Sequence, residues 1–271
     1  MSQAAGRGAH GRISTYSLAP SNQVHSVRLR STLKAEKELA MGLIKFPRDY
    51  SIFSDYKRLR QAGPNLTSAI MKCLSRPAIM DCAKRLGLRK GKGLIFGNMQ
   101  EMDVLLDYCI YSYRKRGKNA IQRYAEDFAP PEASDDVILL QAMLHSHYSI
   151  FQVRDIERAG GVTLFDLLRS ENLLLLDVGL SSSAIRGMMF AGRVLPLGVY
   201  YMTSGAFIPL DREFVEKTVI PTVERFLSKI NREAESVLSP ADESQFSAEI
   251  IRPALRAGML ERMAYSRIEN E

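Results

Sequence analysis

The sequence lacks any long run of apolar residues. The longest runs are short, such as Leu173 to Leu176, which is followed at once by Asp177. None approaches the roughly 18 to 20 apolar residues that a helix needs to cross a bilayer. The first residues also lack the apolar stretch typical of a secretory signal peptide. We therefore expect no membrane partner, no secretion and a cytoplasmic location.

Cysteine is scarce as well. The three cysteines, Cys73, Cys82 and Cys109, are odd in number, and no two are spaced as CxxC or CxC. A disulfide framework is not expected, and a structural zinc site would have too few thiols. We interpret Cys73 and Cys109 as small buried hydrophobic residues of helices rather than as nucleophiles. The pattern suits a reducing compartment, and no metal or other cofactor is predicted.

Acidic residues are few in the first third of the chain. The net charge is +7, yet residues 1–93 alone hold 18 basic and 5 acidic residues. Residues 94–131 are balanced, and residues 132–271 hold 14 basic and 20 acidic residues. Such asymmetry indicates a nucleic acid or another polyanionic partner. It can equally reflect an internal match, with the basic part lying against the acidic part.

The N-terminal half divides into two predicted segments. Residues 1–34 are rich in Gly, Ser, Ala and Arg and contain no acid. Because they bury too little surface to offset their chain entropy, we expect a disordered basic tail. Its composition also matches a targeting segment of the transit-peptide type. Residues 35–131 are predicted to form a basic helical region, with a break at Gly63–Asn65 where Asn65 would cap a new helix.

The C-terminal half predicts a β-module followed by helices. Residues 134–211 contain one leading helix and then short apolar runs between turn-forming residues, which is typical of strands. Five such strands in succession favour an antiparallel barrel or half-barrel, because closure removes exposed edges. Residues 212–271 are predicted to be helical, kinked or restarted at Pro221 and divided at Pro253. The predicted fold class is α+β, with helical N- and C-terminal segments around a small antiparallel five-stranded β-barrel or half-barrel.

Residues 151–210 carry a resemblance to a known module. Their segments FQV, LFDLL, LLLLDVGLSSSA, GMMFAGRVLPL and YYMTSGAFIPL resemble a module in uncharacterised bacterial proteins, some of which also carry the SEC-C zinc-binding motif. The metal-binding cysteines of that motif are absent here, so the resemblance implies no zinc role. It supports the barrel and implies no activity.

The stretch AKRLGLRKGKG, residues 83–93, gathers five basic side chains around three glycines. It lacks the spacing and the Ser/Thr of a P-loop, and it follows a predicted helix. A helix-turn-helix would need a recognition helix soon after Gly87, where RKGKG is poor helix material. We favour two interpretations over these: a helix end whose cations oppose the helix dipole, or a loop that contacts phosphates without reading bases.

A second basic group ends the helix that Asn98 is predicted to cap. The candidate nucleic-acid contacts from both stretches are Lys84, Arg85, Arg89, Lys90, Lys92, Arg114, Lys115, Arg116 and Lys118.

An alternative site is acidic. Asp166 and Asp177 interrupt apolar strand runs, and His147 lies near the start of the β-module. A carboxylate pair in a barrel mouth could perform acid–base chemistry or hold a cation, although such acids more often face solvent or pair with an arginine. His145 and His147 lack a third ligand at a metal-binding spacing. No residue is therefore assigned as catalytic or metal-binding.

Three hypotheses follow. The first, which we favour, is a non-enzymatic binding protein whose basic N-terminal third contacts nucleic acid non-specifically. The second is a protein–protein adaptor that uses the β-module and the C-terminal helices, with the basic part facing an acidic protein partner. The third is an enzyme with the acidic site of Asp166, Asp177 and His147.

Overall fold

A computed structural model describes residues 50–128, 131, 134–157, 160–230 and 238–261. The predicted basic tail, residues 1–34, and the start of the predicted helical region 35–131 lie outside the described residues. Every described residue belongs to one compact unit, Pro47–Glu271. Within the described part of the chain, no helix is long and apolar enough to cross a membrane.

Four of the five described helices before the barrel begin at a capping side chain. The five are α1 (Tyr50–Met71), α2 (Arg76–Leu86), α3 (Met99–Asp107), α4 (Ala120–Asp127) and α5 (Asp135–Leu144). The side chains of Ser75, Asn98, Asn119 and Ser134 accept backbone N–H groups at the starts of α2 to α5 and so satisfy donors that lack an intrahelical acceptor. The predicted cap at Asn98 is confirmed, and α3 passes directly into a π-helical turn, Tyr108–Ser112.

The predicted break at Gly63–Asn65 is wrong. Helix α1 runs without interruption through Pro64, and Asn65 caps nothing. Proline in a helix interior costs about 3 kcal/mol, because it removes a hydrogen bond and its ring crowds the preceding turn. That cost is offset by side chains on both sides of Pro64 that share one buried face. They are Tyr56, Leu59, Leu66 and Ile70.

The β-module forms the predicted small barrel. Two short strands, β1 (Arg89–Lys90) and β2 (Gly93–Leu94), precede it and pair with each other. The strands of the barrel are β3 (His147–Glu157), β4 (Gly161–Asp166), β5 (Glu171–Leu176), β6 (Met189–Leu197), β7 (Tyr200–Thr203) and β8 (Ile208–Leu210). The pairings β3–β4, β4–β5, β6–β7 and β3–β6 are antiparallel. The ring of β3, β4, β5, β7 and β6 closes where β5 meets β7. The short strand β8 pairs with the first residues of β6, on the edge along which β7 pairs with the last residues of β6.

The predicted all-antiparallel arrangement needs one correction, because β5 and β7 are parallel. The chain leaves β5 through the short helix α6 (Val178–Ser183), runs along β6 and turns back into β7. Since β6 lies between them in the chain and reverses the direction, β7 points the same way as β5. The barrel is therefore mixed.

The barrel interior follows the alternation of its strands, since every second side chain points inward. The inward set is Phe151, Val153, Val162, Leu164, Leu173, Leu175, Phe190 and Val194. Gly192 is the inward position between the last two, and a Cβ there would lie 2.2 Å from Cδ1 of Phe207. The glycine thus makes room for the Phe207 ring, which stacks on Phe151 with a centroid separation of 5.7 Å.

Of the C-terminal helices, the last packs on the outer face of β3 and the one before it packs on the last. They are α7 (Arg212–Phe214), which continues through a π-helical turn (Val215–Val219) into α8 (Ile220–Ile230), and then α9 (Pro240–Arg256). Phe246 of α9 contacts Tyr148 of β3 and Phe226 of α8, in both cases edge to face. At Pro221, where a kink or a restart was predicted, the helix does not restart, because the π-helical turn passes without a break into α8 one residue before the proline. The division predicted at Pro253 is wrong, because α9 continues through it.

Candidate functional site

The first basic stretch spans a helix end and a small hairpin. Lys84 and Arg85 lie in the last turn of α2, which ends at Gly87 with the left-handed φ of 84° that a helix C-terminus favours. The chain then forms β1 (Arg89–Lys90) and β2 (Gly93–Leu94), joined by a two-residue turn. Every side chain of this basic group is exposed.

The second basic stretch is a tight turn directly after the π-helical turn. Lys115 and Lys118 pair through both of their backbone hydrogen bonds, at 2.9 and 3.2 Å. The two residues between them, Arg116 and Gly117, have φ of 53° and 81°, which is the backbone of a type I′ hairpin turn. The turn projects its three cations into solvent, whereas Arg114 before it is only partly exposed.

Most of the nine predicted contact residues form no ion pair with a carboxylate among the described residues. Among the described residues, Lys118 is the only member of the nine in an ion pair, with Glu126. Arg89 bonds the carbonyl oxygen of Gly91 instead. The alternative interpretation of the charge asymmetry was that the basic part of the chain lies against the acidic part. Within the described part of the chain, the acidic residues of 132–271 form no ion pairs with this group.

One cavity joins the two basic stretches. It has a volume of about 470 Å³ and contains both Arg85 and Arg114 in its wall. Its other lining residues are Asp81, Cys82, Tyr108, Ser112, Tyr113, Ala241 and Ser244. The wall thus combines α2, the π-helical turn and the first residues of α9, which are far apart in the sequence.

Arg85 is fixed in the cavity wall by hydroxyl groups. Its Nη1 donates to the Tyr108 hydroxyl at 2.9 Å and to Ser244 Oγ at 3.3 Å. The Tyr108 hydroxyl in turn donates to the carbonyl oxygen of Ser244 at 3.1 Å. Burial raises the pKa of Tyr108, although hydrogen bonds to Ser244 and Arg85 act in the opposite direction. The phenol therefore stays protonated and able to donate at neutral pH.

Arg114 is held from the opposite side. Its Nη1 donates to the carbonyl oxygen of Gly117 at 2.9 Å and to Gln122 Oε1 at 3.0 Å. Its Nε is buried and has no hydrogen-bond partner among the described residues. Burial lowers the pKa of Arg114, against the opposing effect of Glu243. A guanidinium remains charged at neutral pH despite such a shift, so the cavity has two fixed positive charges.

A buried ionic cluster lies between the barrel and the helices. Arg193 on β6 has only 2% of its surface exposed. Its Nη2 lies 2.7 Å from Glu243 Oε1 of α9, and its Nε lies 3.9 Å from Asp107 Oδ2 of α3. The guanidinium also stands over the Tyr111 ring, 4.6 Å from the centroid. Burial raises the pKa of Asp107, against the opposing effect of Arg193. The cluster joins the helix carrying Tyr108 to the helix carrying Ser244.

Two members of the predicted acidic site do come together. Asp166 is fully buried, with its Oδ2 3.0 Å from His147 Nε2 and its Oδ1 accepting from the Ser149 hydroxyl. Oδ1 also accepts the backbone N–H groups of Leu168 and Arg169 at 2.9 and 3.1 Å. Burial alone would raise the pKa of Asp166, but the hydrogen bonds from His147 and Ser149 outweigh it and hold the pKa below its usual value. This carboxylate ties a turn to the barrel.

Asp177 is not part of that group. It follows β5, whereas Asp166 pairs with Glu171 at the other end of β5. Asp177 lies six residues beyond Glu171, so at about 3.3 Å of rise per residue the backbones of Asp166 and Asp177 are separated by roughly 20 Å along the strand. Asp177 caps α6 by accepting the N–H of Leu180 at 2.9 Å and receives the Thr203 hydroxyl at 3.1 Å. The structure therefore contains no carboxylate pair made of these two residues.

The remaining candidates have local roles. His145 Nδ1 lies 2.8 Å from the carbonyl oxygen of Gln141, away from the contacts of His147. Across the described ranges, no group of three or more His, Cys, Asp or Glu side chains could hold a metal ion. Sequence reasoning missed Tyr108, Ser112 and Ser244, since hydroxyl residues inside amphipathic helices carry no distinctive spacing. The one local signal was the pair Ser239-Pro240, a capping residue followed by proline, which predicts the start of α9.

Comparisons with known proteins give one match. A family model described as a family of unknown function (DUF7986) matches residues 51–239, a range that includes both basic stretches and the whole barrel. No curated protein and no solved structure matches the chain.

Proposed function

We propose that this chain, which belongs to DUF7986, a family of unknown function, is a non-enzymatic protein that binds nucleic acid non-specifically. The family gives no activity, so the proposal is argued from the structure. The contact region, here called the basic surface, consists of Lys84, Arg85, Arg89, Lys90, Lys92, Arg114, Lys115, Arg116 and Lys118. The observation that carries this proposal is that two separate basic stretches supply Arg85 and Arg114 to one cavity. Phosphates are ligands for such groups of exposed cations.

The ion pairs of the later part of the chain support the proposal by contrast. Four exposed cations there form ion pairs with carboxylates, although Arg252 and Arg256 do not, whereas the cations of the basic surface, Lys118 excepted, form none among the described residues. The pairs are Arg186–Asp155, Arg212–Glu216, Lys217–Glu213 and Arg225–Glu249. The positive potential of the basic surface is therefore only partly offset by its described neighbours Asp81, Glu126 and Glu243, and such a potential attracts polyanions over a Debye length of about 8 to 10 Å.

The shape of the basic surface favours contacts with phosphates over contacts with bases. Its most exposed cations lie on two short turns, the hairpin around Gly91 and the type I′ turn at Arg116–Gly117. Reading bases in the major groove usually requires a helix or a longer β-ribbon to enter it. Short turns with lysine and arginine reach the backbone, which carries no sequence information.

The test is a salt titration of binding. The wild-type protein, the variant Lys90→Gln/Lys92→Gln and the control Arg212→Gln/Lys217→Gln are titrated with labelled duplex DNA and single-stranded RNA of mixed sequence. Both variants lose two positive charges from exposed positions, but the control residues pair with Glu216 and Glu213. For duplex DNA, the slope of log K against log salt should fall in magnitude by about 0.9 for each lost phosphate contact, in the first variant only.

Two results would contradict the proposal. One is the absence of binding to either nucleic acid at low salt. The other is an equal loss of affinity in both variants, which would trace binding to net charge rather than to the basic surface. In either case the adaptor hypothesis, with an acidic protein partner, would be the one to pursue.

Two further points stay proposals. A cytoplasmic location fits the free thiols of Cys73, Cys82 and Cys109, because a reducing compartment keeps thiols unpaired. The likeness of residues 151–210 to a module that accompanies SEC-C motifs fits the barrel that they form.

A further inference from the structure

We propose that the cavity between Arg85 and Arg114 binds a phosphate monoester attached to a sugar, as found at the phosphorylated end of a nucleic-acid strand or in a nucleoside monophosphate. The strand end as the source of this group rests on the proposed function. The chemistry of recognition rests on the cavity alone.

The two arginines match the charge of this group. A phosphate monoester carries about 1.5 to 2 negative charges near neutral pH, as phosphorylated side chains do. A diester inside a strand carries one, so two fixed guanidinium groups favour the end of a strand over its interior. Arg85 uses Nη1 for both of its hydrogen bonds in the wall. Its other donors are not engaged by described residues and can form the paired contacts to phosphate oxygens that arginine favours.

The neutral part of the wall also offers donors. The Ser244 hydroxyl lines the cavity and can donate to a ligand, whereas the Tyr108 hydroxyl already donates to the carbonyl oxygen of Ser244. Ala241 lies in the first turn of α9, where backbone N–H groups lack intrahelical acceptors and the helix dipole is positive. These groups add to the arginines and would not suffice without them.

The size and the single acid of the cavity narrow the ligand. Its volume of about 470 Å³ lies within the range of about 300 to 1,000 Å³ of small-molecule sites, so it accommodates a phosphate together with its sugar. Asp81 lines the same cavity and, as a carboxylate, only accepts hydrogen bonds. It can accept one from a sugar hydroxyl, and it repels further phosphates. The cavity therefore favours a monophosphate over a di- or triphosphate.

The test compares ends of otherwise identical ligands. Short oligonucleotides with a 5′-phosphate, with a 3′-phosphate or with hydroxyls at both ends are titrated against the full chain. Adenosine, its 5′- and 3′-monophosphates and its 5′-triphosphate are measured in parallel by calorimetry. One charge-assisted hydrogen bond corresponds to about tenfold or more in affinity, so one phosphorylated end should bind at least about tenfold more tightly than the hydroxyl end.

The variants locate the effect. Arg85→Gln should abolish the preference for the phosphorylated end, while Lys90→Gln/Lys92→Gln should weaken all oligonucleotides alike and keep the preference. Arg85→Lys keeps the charge without the planar fork and serves as the second variant if Arg85→Gln does not fold, as judged by circular dichroism; it should reduce the preference.

The outcomes separate the two proposals. Equal binding of phosphorylated and hydroxyl ends by the wild-type chain, with no binding of either monophosphate, overturns the cavity and leaves nucleic-acid binding intact. Arg85-dependent binding of a monophosphate without binding of any oligonucleotide supports the cavity and refutes the proposed function. The proposed role of the cavity is also refuted if a folded Arg85→Gln variant still prefers the phosphorylated end. It is refuted as well if adenosine 5′-triphosphate binds more tightly than the monophosphates.

Discussion

Replacing Arg193 by alanine is the most direct test of how the helices are held to the barrel. The change removes a guanidinium that is almost fully buried and leaves Glu243 and Asp107 without their shared cation. Removing one partner of a buried ion pair typically costs about 3 to 5 kcal/mol, because the remaining charge has lost its solvation. The cation–π contact with Tyr111 adds about 1 to 2 kcal/mol when desolvated.

One effect limits this cost. Burial already raises the pKa of Asp107, so this carboxyl can take up a proton once Arg193 is gone and avoid remaining as a buried charge. Glu243 is more exposed, with 19% of its side chain accessible, and water can solvate it in part. We therefore expect Arg193→Ala to reduce the free energy of unfolding by about 3 to 5 kcal/mol, without the cation–π contribution adding in full.

The matched control is Arg186→Ala. Arg186 also pairs with an aspartate, Asp155, but 70% of its side chain is exposed. Exposed pairs contribute about 0.2 to 1 kcal/mol. Both variants are compared with the wild type by equilibrium urea denaturation, followed by circular dichroism. If the two variants lose the same stability to within about 1 kcal/mol, the reasoning from burial is refuted.

Three other changes test particular contacts. Asp107 has a raised pKa in the folded protein, so between about pH 4 and that raised pKa the folded state binds more protons than the unfolded state. Stability should therefore fall as the pH rises through this range. Asp107→Asn should remove that fall, as measured by urea denaturation at several pH values. Asp166 has a lowered pKa, so the ionised carboxylate stabilises the folded state above about pH 4, and this stabilisation is lost as the pH falls below that value. Asp166→Asn should therefore lower the free energy of unfolding more at neutral pH than at acid pH. A loss of stability that does not change with pH would contradict this reasoning. Gly192→Ala places a Cβ against the Phe207 ring and should reduce the free energy of unfolding, measured by urea denaturation, by about 1 to 3 kcal/mol. Gly63→Ala in α1, where a Cβ would meet nothing within 4 Å, should be neutral or stabilising in the same measurement.

The sequence predicted those features whose causes are local. Asn98 starts α3 and Gly87 ends α2 because a cap and a left-handed residue act on their own backbone neighbours. The short apolar runs predicted the barrel for a similar reason, since strand length and alternation are properties of each run. Local signals failed where distant packing opposed them. Pro64 and Pro253 read as breaks, yet both lie inside helices whose buried faces continue on either side.

The cavity could not be predicted for a related reason. Arg85 and Arg114 were singled out by charge, but nothing in their spacing says that their helices meet. The meeting depends on α9, which supplies Ser244 from far along the chain. The π-helical turn Tyr108–Ser112 also has no pattern of its own, because its residues read as the continuation of α3. Asp166 and Asp177 failed to pair because the register of β4 and β5, which sets them at opposite ends, is fixed by the fold.

The parallel junction of the barrel has a consequence for how the molecule opens. Strands β5 and β7 are joined in register at a single residue pair, Leu175 and Tyr201, whereas the pairing of β3 with β4 and of β4 with β5 extends over six pairs each. A closed ring loosens first at its shortest seam, since the fewest backbone hydrogen bonds must break there. Transient separation of β5 from β7 would give solvent a route to the aromatic interior while the remaining strands stay together as one curved sheet.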